Sequence, residues 1–125
     1  MNTPNQSIET LYAVGHWLLG QERFADASTV FRTMTAAAPS DERGWLALGA
    51  CHEGIGQFQI ATRLYETAEV VAAPAIRCTI ARGRALRTLG IDDIALDAFE
   101  AARELALAND EDELAKLALA EKGAT

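Results

Sequence analysis

The sequence predicts an all-α protein in which short helices pair into hairpins and the hairpins stack side by side. The first observation is composition: half of the 125 residues are apolar and only 3 are proline, which suits a helical globular protein with one modest core. The second is the recurrence of small and aromatic residues at a spacing of 34. The third is a series of glycine-containing and polar breaks that divide the chain into segments of helical length.

The 34-residue period is clearest at three positions that each hold one kind of residue. Glycine, alanine and a bulky aromatic recur as Gly15, Gly49 and Gly83; Ala27, Ala61 and Ala95; and Phe31, Tyr65 and Phe99. This period, with the run Trp45-x2-Leu48-Gly49, is the signature of the tetratricopeptide repeat, or TPR. We expect the small residues where the two helices of a repeat cross closely, and the aromatics between neighbouring repeats. The repeats should span 8–40, 41–74 and 75–108.

Caps and breakers predict seven helices, of which the first six form the three pairs. The expected ranges are 7–20, 24–37, 41–54, 58–72, 75–88, 92–107 and 110–122. Ser40, Asp92 and Asn109 are the expected N-caps, and Pro39 ends the second helix. The seventh helix should cap the open side of repeat three, as solenoids require. The whole chain, 1–125, is then a single domain: a TPR-type α-solenoid of three helix-turn-helix repeats plus a C-terminal capping helix.

Two positions depart from the repeat pattern. Gly56 and Gly90 lie in the turns after the third and fifth helices, but in the first turn Gly20 comes two residues early and Glu22 stands in the glycine's place. Arg82 occupies a position at which the other repeats have large apolar residues, and we expect it to form an ion pair with Asp97 or Glu104.

Cys51, His52 and Glu53 are adjacent, which raises the question of a catalytic or metal site. Adjacent helical residues point about 100° apart, so the three side chains do not converge. Cys51 falls at a packing position whose repeat equivalents are Trp17 and Ala85, so a small buried hydrophobe is expected. His52 should pack with one nitrogen hydrogen-bonded. The sequence therefore favours neither an enzyme nor a metal or other cofactor.

Charge and segment composition exclude several function classes. The formal net charge of −7 argues against binding nucleic acid or anionic membrane over the whole surface. No apolar run approaches the length of a membrane span, and the start shows no signal peptide. Two cysteines at unrelated spacing do not make a disulfide framework. We therefore expect a cytoplasmic location.

A more specific resemblance is found in the first two repeats. The pattern L-G-A-C-x4-G-Q-F-x2-A, within residues 48–61 and preceded by LYAVGHWLLGQERFADASTVF, resembles the class II chaperones of type III secretion, the SycD/LcrH family. The likeness covers roughly residues 8–108. It implies a cytoplasmic chaperone that holds secreted translocator subunits before export and often forms a homodimer. The implied site is the concave TPR groove, which takes an extended segment of the client.

The first helix of each pair should line that groove. By repeat position, the candidate peptide-binding residues are Tyr12, His16, Leu19, Arg43, Leu46, Ala50, Glu53, Arg77, Ile80, Arg84 and Arg87. Tyr12, Leu46 and Ile80 are 34 apart and form an apolar row, for which the alternative is core packing. Arg77, Arg84 and Arg87 share one helix face. They either contribute to peptide binding or are solvated or paired with carboxylates of the same solenoid.

Three functions compete. The first is an export chaperone that binds an apolar, partly unfolded client segment, either of a translocator or of another secretion subunit such as the needle protein. The second is a general TPR adaptor that docks a folded partner or a charged tail. The third, an enzyme, has no phosphate loop, convergent acid pair or nucleophile with a base in its favour. The apolar row favours the first.

Overall fold

Seven α-helices account for most of the described chain. The computed structural model describes residues 4–125, with side chains from Gln6 onward. The helices are α1 (Pro4–Gly20), α2 (Phe24–Ala37), α3 (Glu42–Gly54), α4 (Phe58–Val71), α5 (Ile76–Thr88), α6 (Asp92–Ala108) and α7 (Asp112–Gly123). No strand occurs among residues 4–125. The predicted all-α class is confirmed, and every helix end lies within three residues of its predicted position.

The helices form hairpins that stack in two layers. Each helix packs against the next in the chain, and α1 also contacts α3, α3 contacts α5 and α5 contacts α7. The backbones of the second helices of the hairpins, α2, α4 and α6, do not lie close to one another within the described residues. The layer of first helices is therefore the more closely packed one, as the inner layer of a curved stack must be.

The predicted N-caps are wrong, although the helices themselves are in place. Asp41, rather than Ser40, caps α3, and its carboxylate accepts a hydrogen bond from the Arg43 N–H at 3.1 Å. Asp92 lies inside the first turn of α6. Asn109 ends α6, and its side-chain amide donates to the Leu105 carbonyl. In each case the chain turns one or two residues away from the side chain that could have capped it.

Each recurring glycine lies directly against the aromatic ring of its own repeat. A Cβ atom added at Gly15 would lie 2.6 Å from the Phe31 ring, and one at Gly83 would lie 2.5 Å from the Phe99 ring. The ring of Tyr65 is equally close to Gly49. The rings are completely or almost completely buried. They therefore fill the space within a hairpin, which corrects the expectation that they lie between neighbouring repeats.

Two further expectations fail for reasons of position in the stack. Arg82 forms its ion pair with Glu69 of α4, at 2.8 Å, and not with Asp97 or Glu104, because its side chain turns towards the hairpin before it. Trp17 is 61% exposed, whereas its repeat equivalents Cys51 and Ala85 are almost wholly buried. Those equivalents pack towards the preceding hairpin, and α1 has none before it among the described residues.

Glu22 has a left-handed backbone, and replacing it with glycine should stabilise the protein. Its φ is 58°, close to the 79° of Gly56 and the 78° of Gly90 at the same position of the other turns. A side chain in this region costs about 1 kcal/mol or more, which glycine avoids. We expect Glu22→Gly to raise the free energy of unfolding by about 1 kcal/mol in urea denaturation. Gln21→Gly, one residue earlier and without a positive φ, is the control and should give no gain.

Candidate peptide-binding groove

The candidate groove is the face formed by the first helices, and α7 extends it. Leu114 and Glu121 of α7 stand 34 residues after Ile80 and Arg87 of α5. α7 packs against both α5 and α6, so it takes the place that the first helix of a fourth hairpin would take. The groove face therefore consists of four helices: α1, α3, α5 and α7.

The α1 end of this face is an aromatic and charged cluster. The ring centroids of Tyr12 and His16 lie 4.7 Å apart, edge to face, and the Arg43 guanidinium lies 4.6 Å from the centre of the Tyr12 ring. Arg43 also holds the carboxylates of Glu9 and Asp41, at 2.7 and 2.8 Å. Hydrogen bonds from Arg43 keep the pKa of both carboxyl groups below its ordinary value. The guanidinium of Arg43 is thus already paired with carboxylates of the protein itself, although its side chain remains partly exposed.

In the middle of the face, Leu46 and Ala50 of α3 are half-buried, as is Leu19 of α1. Glu53 does not reach into open solvent over the groove, because its carboxylate accepts a short hydrogen bond from the Tyr65 hydroxyl. Burial, and then this bond to a carboxylate, raise the pKa of Tyr65. The middle of the face therefore presents apolar side chains, and the carboxylate of Glu53 is held by a hydrogen bond from a neutral hydroxyl.

An apolar cleft lies where α3, α5 and α7 meet. It holds about 170 Å³ and is lined by Leu46, Arg77, Ile80, Ala81, Arg84, Leu114 and Leu117. A cavity of about 150 Å³ holds a benzene molecule, so the cleft fits one large apolar side chain. Ile80 is only 2% exposed and packs in the core cluster that contains Ala115 and Ala118 of α7. The predicted apolar row is corrected accordingly: Ile80 is the floor of the cleft, and Leu46 and Leu114 stand at its sides.

Two of the three clustered arginines are paired within the protein. Arg84 and Arg87 both bind the Glu121 carboxylate, at 2.9 and 2.6 Å, and Arg87 also donates to the Glu121 backbone carbonyl. Burial works against ionisation of Glu121, but the hydrogen bonds from Arg84 and Arg87 keep its pKa below the ordinary value. Arg77 is exposed and forms no ion pair with another described residue. Arg84 and Arg87 are therefore paired within the solenoid, and their contribution to peptide binding stays a prediction.

The groove residues predicted from the sequence did not include those of α7. Leu114, Leu117 and Glu121 were assigned only to a cap, although the 34-residue register continues into α7. Leu114 follows the row of Tyr12, Leu46 and Ile80 at the same spacing. Extending the alignment by one repeat would have identified Leu114 as a groove residue.

In the Cys51–Glu53 run, the burial of Cys51 is confirmed, and so is the single hydrogen-bonded nitrogen of His52, which is half-buried. Cys51 is 1% exposed, and burial raises the pKa of its thiol to about 11. The Nδ1 atom of His52 lies 2.7 Å from the side-chain oxygen of Gln57. Cys78 is wholly buried, and burial also raises the pKa of its thiol. Among residues 4–125, no group of three or more His, Cys, Asp or Glu residues is placed to hold a metal ion.

Both thiols should react slowly in the folded protein. The thiolate is the reactive form, and burial with a raised pKa suppresses it in both cysteines. We expect labelling by a maleimide at pH 7 to be at least about 100-fold slower in buffer than in denaturant, since an unshifted thiol has a pKa near 8.5. Mass spectrometry of timed samples measures it. Rapid modification of Cys51 in buffer would contradict its assignment to the core.

No helix among the described residues is both long and apolar enough to cross a membrane.

The chain matches no protein-family model and no curated protein. It is similar, however, to several solved structures. PcrH, a protein of Pseudomonas aeruginosa solved with the chaperone binding region of PopB, is 29% identical, with a TM-score of 0.81 over 91% of this chain and 93% of that one.

Two structures from Yersinia enterocolitica are similar over the same range. The type III secretion translocator chaperone SycD is 26% identical, with a TM-score of 0.85 over 94% of this chain and 89% of that one. SycD in complex with a peptide of the translocator YopD is 26% identical, with a TM-score of 0.79 over 93% and 89% of the two chains. The resemblance inferred from the sequence is therefore confirmed: this chain is similar, in fold and over nine-tenths of its length, to the TPR-type translocator chaperones of type III secretion.

Proposed function

We propose that this protein is a cytoplasmic chaperone of a type III secretion system that binds an extended, apolar segment of a secreted translocator-type client. The observation that carries the proposal is the apolar cleft between α3, α5 and α7. It lies on the face formed by the first helices, in a protein similar to chaperones solved with translocator peptides. All eleven residues predicted from the sequence belong to this proposed site, with Ile80 as its floor, and Leu114 and Leu117 join them.

The proposed mechanism is passive binding without catalysis. An apolar side chain of the client enters the cleft, and further anchors lie over Leu46, Ala50, Leu19 and Tyr12 towards α1. Burying two or three anchors at about 1.5–3 kcal/mol each offsets the cost of ordering the segment and leaves an affinity near micromolar. Such binding keeps the apolar segment from aggregating and still allows its release at export.

A general adaptor for charged tails is the second candidate, and the ion pairs weigh against it. Tail binding needs free cations in the groove, whereas Arg43, Arg84 and Arg87 are already bound to carboxylates of the protein, which leaves Arg77 as the one groove arginine without an ion pair among the described residues. Binding through apolar anchors should change little between low and moderate salt, because screening weakens only charge–charge attraction. A strong fall in client affinity with salt would favour the adaptor.

Site-specific photo-crosslinking in the native host tests both the client class and the site. A photoreactive phenylalanine analogue in place of Ala50 lies on the groove face, and the same analogue in place of Arg63 lies on the exposed side of α4. We expect the Ala50 position to capture a secreted protein through an apolar segment, and the Arg63 position not to. Capture of the same protein with equal yield from both positions would exclude the groove as the site.

The exposed face of α1 supports a homodimer as part of the same proposal. Val14 and Trp17 are exposed there, at positions that are buried in the second hairpin, and a SycD structure is described as an alternative dimer. Exposed tryptophans are frequent centres of protein interfaces. We expect Trp17→Ser to shift the protein from dimer to monomer in sedimentation equilibrium. Val70→Ser, which removes a still more exposed apolar side chain from α4, is the control and should leave the dimer intact.

A further inference from the structure

A second apolar surface lies away from the groove, at the turns that join the two helices of the second and third hairpins. We name it the turn patch, and it consists of Ile55, Phe58, Ile60, Leu89, Ile91 and Ile94. The four isoleucines are exposed, with Ile60 at 41% and Ile94 at 47%. Phe58, Ile60 and Leu89 line a shallow depression between the two turns. A surface of this kind, made of large side chains from two neighbouring hairpins, is a candidate contact site.

The fold does not require apolar residues at the positions of Ile55, Ile60, Leu89 and Ile94. The first hairpin has Gln21 where the others have Ile55 and Leu89, and Asp26 where they have Ile60 and Ile94. The first hairpin nevertheless forms the same turn as the other two. The equivalent backbone N–H to C=O hydrogen bond closes all three turns, with an N···O distance of 3.0 Å in the first hairpin, 2.8 Å in the second and 2.9 Å in the third. Polar side chains thus serve the turn equally well. The exposed isoleucines of the turn patch are therefore not explained by the chain's own folding. Phe58 is different, because it packs against a core cluster and the first hairpin has Phe24 at the same position.

The charges around the turn patch indicate the chemistry of a partner. Asp92, Asp93 and Asp97 surround Ile94 on α6, and none of them forms an ion pair within the described part of the chain. Arg63, one turn after Ile60 on α4, is the single cation on the neighbouring helix surface. The rim is therefore acidic, in a protein of net charge −7. An acidic rim repels the anionic surface of a bilayer and attracts basic side chains.

We propose that the turn patch docks an amphipathic helix of a partner protein, whose apolar stripe is flanked by lysine or arginine. Apolar residues of the stripe would enter the depression between the turns and cover Ile60 and Ile94, as in helix-in-groove recognition. The basic residues would meet Asp92, Asp93 and Asp97. This site lies at the turn edge rather than on the groove face, so it can be occupied while a client segment is bound.

A designed peptide tests the proposal without knowledge of the natural partner. The probe is a helix of about 18 residues, or five turns, made of leucine on one face and lysine on the other. The control peptide has glutamate in place of every lysine. Binding is followed by nuclear magnetic resonance of the ¹⁵N-labelled full chain, which also locates the site. The variants are Ile60→Ser with Ile94→Ser, and Asp92→Asn with Asp93→Asn, against Val70→Ser on the exposed surface of α4 and Leu46→Glu in the groove.

We expect the lysine peptide to bind and to shift the amide signals of residues 55–60 and 89–94. In the double isoleucine variant, the affinity for the lysine peptide should fall at least about tenfold, which is the loss expected when two partly buried apolar side chains are removed. The double asparagine variant should weaken it and flatten its salt dependence, whereas Val70→Ser and Leu46→Glu should have no effect.

Three results would overturn the proposal. The first is equal binding of the glutamate peptide, and the second is equal binding to the double isoleucine variant. The third is a different occupant: self-association of the parent that the isoleucine variant abolishes, or binding of the parent to phosphatidylserine vesicles. Because the groove variant Leu46→Glu is included, failure of the groove proposal leaves these outcomes unaffected.

Discussion

Gly49→Leu should destabilise the protein by about 3 kcal/mol or more, at the upper end of what overpacking a core costs. The Cβ alone would overlap the Tyr65 ring, and the rest of a leucine side chain would lie where that ring now packs. The ring cannot move aside cheaply, because Tyr65 is 1% exposed and its hydroxyl is hydrogen-bonded to Glu53. Displacing it would also leave a buried polar group without its partner. Urea denaturation followed by circular dichroism measures the change.

Gly20→Leu is the matched control for this prediction. No atom outside its own local helix lies within 4 Å of a Cβ added at Gly20, so leucine finds open space there. Leucine is also a better helix former than glycine, by about 0.8 kcal/mol. We therefore expect unchanged or slightly increased stability. Equal stability of the Gly49→Leu variant and the parent would mean that the close approach of α3 to α4, and with it the 34-residue register, is incorrect.

Most of the fold could be predicted because the chain carries the same local information three times, once in each repeat. Gly15, Gly49 and Gly83 can be recognised together, although a single one would say little. The N-caps could not be predicted in this way, since Ser40 and Asp41 are both good capping residues and the choice between them depends on where the chain turns. Trp17 shows the limit of the repeat argument: the same position is buried or exposed according to whether a hairpin precedes it.

The candidate groove was predicted as a face but not in its detail. A repeat alignment shows which residues share the face, and Tyr12, Leu46 and Ile80 do share it. It does not show which neighbour covers them, so it could not decide that core packing, the alternative for this row, applies to Ile80 through its cluster with α7. The pairing of Arg84 and Arg87 with Glu121 joins residues 37 and 34 positions apart. Only the packing of α7 on α5 brings these groups together.

Leu46→Glu should abolish binding of the client captured through Ala50, with a loss of affinity of at least about 100-fold. Leu46 forms one side of the apolar cleft, so a carboxylate there would have to be desolvated when an apolar anchor enters. The side chain is only half-buried in the free protein, and the helical content should therefore be retained. Ile80→Glu is not equivalent, because it would place a charge in the core and should unfold the protein.

A graded series separates the loss of apolar contact from the effect of charge. Leu46→Ala should weaken client binding by about 10-fold, the value of roughly 1.5 kcal/mol of apolar burial, and Leu46→Glu should weaken it further. Arg63→Glu changes charge on the exposed side of α4 and should leave the affinity unchanged. Fluorescence anisotropy with the labelled client segment gives the affinities, and circular dichroism confirms the fold of each variant. If both Leu46 variants bound the segment as tightly as the parent, the client would have to bind elsewhere, and the exposed face of α1 would be the next surface to test.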